Sequence, residues 1–164
     1  MKIASLSNPR VKQLVRLKKS RARMADDLAV IYGVREIQRA WESGVVLPEV
    51  FWCPELCPPP VGEDLLAGVH AAGGQVFEVT ALVAEKICFG ERADGLVAVF
   101  RPPVLRLTDL VLSPCPLLAV VEQVEKPGNL GAILRSCDGA GVDAVLVCDP
   151  RTDLYNPNCV RASL

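Results

Sequence analysis

No run of apolar residues in this chain approaches the roughly 18 that a membrane-spanning helix needs, and no apolar segment follows the basic first residues as it would in a secretion signal. The expectation is a cytoplasmic protein with no membrane partner. Histidine is almost absent: His70 is the single one. A zinc site wants four ligands at regular spacing, and the only close pair of thiols is Cys53 and Cys57 in a proline-rich stretch. Ordinary buried or loop thiols are the simpler reading, so no metal is expected. The seven cysteines (53, 57, 88, 115, 137, 148 and 159) are odd in number and scattered, which excludes complete disulfide pairing. Aromatic residues make up only 5% of the chain, too few near the N-terminus to argue for base stacking. There is no internal repeat, no long low-complexity tract, no Gly-Lys-Ser/Thr phosphate loop and no full G-x-G-x-x-G turn.

What is present is a core's worth of apolar residues, 51% of 164, and a charge distribution that the net value of −1 conceals. Residues 1–25 hold eight of the 18 Lys and Arg and none of the 19 Asp and Glu. Asn8-Pro9 starts a helix in which Lys12, Arg16, Lys19 and Arg23 share one face, while Val11, Leu14 and Val15 turn inward. Clustered cations suit phosphate contact, which needs little base-reading chemistry; a solvated helix face is the plain alternative. Strand-like runs 28–32, 50–53, 75–79 and 96–100 then alternate with helix-like 34–43, 62–72 and 81–88. That alternation predicts an α/β fold for the first hundred residues. Pro54 to Pro60 reads as an exposed loop, and Pro102-Pro103 through Pro116 as the linker, because strand signals stop there and resume at Leu117.

The densest information lies at 117–147. A buried-strand pattern, Leu117–Val121, runs into a turn with Pro127, Gly128 and Asn129, and a helix follows at once. Asn129 is suited to cap it, and Leu130, Ile133, Leu134 and Cys137 recur at helical spacing. Arg135 falls off that stripe with Gly131 four residues behind it. Helical side chains lean toward the N-terminus. The guanidinium is thus expected over a position without a side chain, free to reach a ligand at the helix's positive end. The alternative is a common βα turn in which Arg135 pairs only with Asp138, three residues on.

Lys126-Pro127-Gly128-Asn129-Leu130-Gly131-Ala132-Ile133-Leu134-Arg135-Ser136 resembles the first signature of the SpoU (TrmH) family of RNA ribose methyltransferases. Asp149-Pro150, Tyr155-Asn156-Pro157 and Val160-Arg161-Ala162-Ser163-Leu164 resemble the opening of its second signature. Weaker matches precede them in family order: Leu6–Lys12, Gly33-Val34-Arg35-Glu36 and Asp94–Val99. Glu122 stands where the family often has Asp, and Tyr32 where Glu often precedes the glycine.

The resemblance implies an α/β protein of two parts. A small N-terminal α/β/α RNA-recognition domain, residues 1–103, is followed by a linker at 104–115 and by the first part of an α/β-knot (SPOUT) domain at 116–164. It implies transfer of a methyl group from S-adenosylmethionine to a ribose 2′-hydroxyl of structured RNA, rRNA ahead of tRNA, by a homodimer. Arg135 and Asn129 are then the catalytic-site residues, and Lys12, Arg16, Lys19, Arg23 and Arg35 the RNA contacts. No cofactor-binding residue is assigned. Asn156 and Pro157 read as the cap and first residue of a helix containing Val160–Leu164, and the expectation is a chain holding about two-thirds of a family member. Two other readings stay open: a non-catalytic RNA-binding protein, and an unrelated nucleotide-binding α/β protein that grips phosphate with the 126–136 turn.

Overall fold

The computed structural model describes residues 2–90 and 94–164, which divide into two compact units, 2–102 and 103–164. In the first, five strands form one mixed sheet: β1 (Lys2–Ile3), β2 (Ala29–Tyr32), β3 (Glu49–Trp52), β4 (Gln75–Val79) and β5 (Leu96–Phe100). Their spatial order is β1-β4-β3-β5-β2. β1 and β3 run parallel to β4, and β5 runs antiparallel to both β3 and β2.

Side chains alternate across a pleated sheet, and here both faces are buried. Val30, Tyr32, Phe51, Phe77, Val79, Val97 and Val99 join one cluster with Val11, Leu14 and Leu17 of α1 (Pro9–Leu17) and Val83, Ala84 and Ile87 of α5 (Ala81–Ile87). The alternate residues Ile31, Val50 and Ala98 are equally buried. α3 (Val34–Glu42) and α4 (Glu63–Ala71) pack on the sheet with Ile37, Leu65 and Val69 inward. Tyr32 belongs to this core, its ring 5.7 Å from that of Phe89. Burial pushes its phenol well above the ordinary range, with no ionisable role in view.

The basic N-terminal helix is shorter than its charge spacing suggests. Asn8 caps α1 by accepting from the Arg10 amide, and Pro9 takes the first position. The helix ends at Leu17, Lys19 is extended, and a second helix, α2, runs Ser20–Asp26. Arg23 is the one charged residue buried among those described. Its guanidinium donates to the carbonyls of Leu17 (2.8 Å) and Lys18 (3.0 Å). These are carbonyls that a helix end leaves without partners. Arg23 therefore does not continue an exposed cationic face; it closes the α1–α2 corner from inside.

The second unit begins with a single 3₁₀ turn at Leu107–Asp109 and builds a βαβ crossover: β6 (Leu118–Glu122), α6 (Pro127–Gly139) and β7 (Ala144–Cys148). β6 and β7 pair in parallel, Leu118 opposite Ala144. α7 (Pro157–Ala162) packs on α6, and Asn156 caps it by accepting from the Asn158 amide. Gly131 explains the closeness: a Cβ there would stand 2.4 Å from the Cys159 carbonyl oxygen and 2.7 Å from the Ala162 Cβ. Cys159 is buried in this contact, and burial pushes its thiol up to about 11.

Candidate functional site

α6 starts three residues earlier than a cap at Asn129 would give. Lys126 occupies the cap position and Pro127 the first helical position, where a missing N–H costs nothing and φ is already helical. Asn129 is thus the third helical residue, not the cap. Its amide bonds the Lys126 carbonyl at 3.0 Å and its side chain is exposed.

Arg135 is exposed on α6, and the alternative pairing with Asp138 is not formed. Its guanidinium donates instead to the Leu164 carbonyl at 3.4 Å, beside the end of α7. The space at Gly131 is taken by α7, so it does not serve as an opening for the arginine. Arg135 and Asn129 are six residues apart on one helix. At 100° and 1.5 Å per residue that puts them about 120° apart around α6 and roughly 9 Å along it. The two share an element, not a face.

The predicted RNA contacts divide likewise. Lys12 on α1 and Lys19 between α1 and α2 are exposed. Arg16 is exposed but ion-paired with Asp26. Arg23 is buried, as described. Arg35 is exposed in the first turn of α3, on the opposite face of the sheet from α1 and α5. Gly33 leads into that turn at φ 98°. A side chain there would meet the Glu36 carboxylate at 2.5 Å and Asp94 at 3.2 Å, which is why the Gly-Val-Arg-Glu segment opens with glycine.

The spacing of charges overlooked Lys18 and Lys86. The Lys18 ammonium donates to the Lys86 carbonyl at 2.9 Å, at the C-terminal end of α5. Partial burial, with the Lys86 charge opposing it as well, pulls its proton affinity below the ordinary lysine value. No short-range sequence signal could have joined residues 68 positions apart.

No spacing or charge pattern in the sequence marks Gln123, and Asp149 stands out there only through the Asp149-Pro150 match. They follow β6 and β7 at the carboxyl ends of the parallel pair, and both have left-handed backbones, φ 53° and 43°. Gln123 Nε2 donates to Asp149 Oδ2 at 2.7 Å, and Arg151 approaches the same oxygen at 3.0 Å. Glu122, Gln123, Cys148 and Asp149 are all exposed, so these residues alone enclose no cleft for a donor molecule.

Among the described residues no group of three His, Cys, Asp or Glu side chains could hold a metal ion, and no helix is long and apolar enough to cross a membrane. Cys53 and Cys57 are buried free thiols; the Trp52 indole donates to the Cys57 carbonyl at 2.8 Å.

A five-stranded mixed α/β domain followed by a parallel βαβ unit with an arginine on its crossover helix defines a two-part α/β protein. Residues 8–98 match the MRM3-like substrate binding domain, and residues 116–164 match the SpoU rRNA Methylase family. The chain belongs to the SpoU methylase family. It is 25% identical over 161 residues to the 23S rRNA (guanosine(2553)-2'-O)-methyltransferase RlmP of Bacillus subtilis (strain 168), covering 98% of this chain and 60% of that protein. A crystal structure of an RNA 2'-O ribose methyltransferase superposes with a TM-score of 0.78 at 38% identity, covering 99% of this chain and 61% of that one. The AdoMet-bound rRNA methyltransferase from Sinorhizobium meliloti superposes with a TM-score of 0.85 at 26% identity, covering 99% of this chain and 59% of that one. The chain thus spans about 60% of the length of these relatives.

Proposed function

We propose that this protein transfers the methyl group of S-adenosylmethionine to a ribose 2′-hydroxyl of structured RNA, with ribosomal RNA ahead of transfer RNA as substrate. The observation that carries this reading is the succession along one chain of a substrate-binding domain at 8–98 and a SpoU segment at 116–164. Either alone would fit a binding module. The family resemblance adds a homodimer built through the second unit, and the cytoplasm is the proposed location.

Bound donor would supply the electrophilic methyl. The chain's own residues would supply position and charge. Arg135 is proposed to hold an RNA phosphate and to stabilise negative charge developing on the ribose oxygen as its proton leaves. A guanidinium stays protonated at neutral pH, so it serves as an electrostatic partner rather than a base. Asn129, exposed in the first turn of α6, is proposed to shape the same site from another face of the helix. Because the two residues are about 120° apart around α6, the substrate must wrap the helix or meet the second residue through another segment. Lys12, Lys19 and Arg35 are proposed as phosphate contacts, and Arg16 joins them in competition with Asp26. Arg23 has no part in this.

The test is methyl transfer from labelled donor to rRNA by the protein as its cells make it, beside an Arg135→Ala variant. The reading expects transfer by the parent and a loss of about 100-fold in the variant, in line with removal of one oxyanion-stabilising donor. Equal rates would remove Arg135 from the chemistry. RNA binding without donor binding would leave an RNA-binding protein instead.

A further inference from the structure

β6 and β7 leave their sheet in the same unusual way. The residue after each strand, Gln123 and Asp149, sits at φ 53° and 43°, where any Cβ crowds the backbone. Aspartate visits this region more readily than most residues; glutamine does not. Glycine would hold either backbone without strain.

What glycine could not do is make the contact that glutamine makes. The Gln123 amide side chain donates to the Asp149 carboxylate at 2.7 Å, and the Gln123 backbone N–H donates to the Cys148 carbonyl at 3.2 Å. Arg151 braces the same carboxylate oxygen at 3.0 Å. The turn leading into α6 is therefore tied, through side chain and main chain together, to the loop leaving β7. Four residues after Gln123, Pro127 opens α6, so this tie sets where that helix and Asn129 begin. It also lies at the carboxyl ends of parallel strands, the side on which open α/β sheets receive ligands. Strain retained at such a place is a pointer to function.

We infer that Gln123 and Asp149 are positioning residues, whose mutual hydrogen bond holds the β6–α6 turn in the geometry that presents the start of α6 to substrate. Its effect on turnover rests on the methyl-transfer reading; its effect on the turn does not.

The experiment compares Gln123→Gly, Gln123→Glu and the double variant Gln123→Glu/Asp149→Asn with the parent, using the protein as its cells make it. Three quantities are read: thermal melting, amide exchange between Val124 and Leu130, and kcat and KM for rRNA. Gln123→Gly relieves backbone strain, so it melts no lower than the parent. Its turn amides exchange about tenfold faster, and kcat falls about tenfold with KM for RNA unchanged. A residue with only a structural role could not raise or keep stability while lowering kcat. Gln123→Glu faces one carboxylate with another and loses kcat similarly. Adding Asp149→Asn restores a donor and an acceptor with polarity reversed, and recovers most of it. Parent-like exchange and kcat in the glycine variant overturn the inference, as does a double variant no better than Gln123→Glu. A parent that moves no methyl group sinks the methyl-transfer reading instead, and the exchange rates then decide whether the turn is held by this bond.

Discussion

Single residues here are decided by what they satisfy. Arg23 and Lys19 have the same formal charge and lie four positions apart, yet one is buried against helix-end carbonyls and the other is exposed. The difference is geometric. Once α1 stops at Leu17, its last carbonyls point at the corner, and Arg23 is the cation placed to reach them. Removing it leaves those acceptors unpaired and empties the space filled by its aliphatic stem. Arg23→Ala is expected to lower stability by about 3 kcal/mol, measured by urea unfolding. The salt dependence of RNA binding should stay at the parent slope. A reduced slope with unchanged stability would return Arg23 to the phosphate contacts.

Elements are decided by how closely they approach one another. α6 carries its glycine at the point where α7 crosses, and 2.4 Å to the Cys159 carbonyl oxygen is too short for any Cβ. That atom is backbone, so it cannot swing away as a side chain end would. Gly131→Ala must separate the two helices, although alanine is the better helix former by about 1 kcal/mol. The expected net cost is about 2 kcal/mol, read from chemical denaturation, with the buried Cys159 thiol reacting faster with a thiol reagent than in the parent. A stabilised Gly131→Ala protein would mean that propensity outweighs the close approach.

The whole molecule is two units with different claims to independence. Every member of the main core cluster lies between Ile3 and Val99, and both sheet faces there are covered. Residues 1–102 are therefore expected to unfold cooperatively on their own, in a single transition by circular dichroism and by tryptophan fluorescence. Non-coincident transitions would show that this core depends on the second unit. In 103–164, by contrast, Leu118 and Val120 of the parallel β6–β7 pair are exposed, although parallel sheets usually bury both faces. Much of this architecture is legible in local sequence. Asn8-Pro9 and Asn156-Pro157 cap α1 and α7 as read. Strands 75–79 and 96–100 keep their bounds, and the family matches follow from residues within a few positions of one another. Those features depend on dihedral preference and hydrophobic period, which act over one or two turns. Tertiary structure alone settled the mixed strand order, the burial of Arg23, the use of Gly131 as a helix contact, and the meeting of Gln123 with Asp149. Each depends on which distant segment arrives at a given atom, and burial, unpaired carbonyls and close contacts exist only after it has arrived.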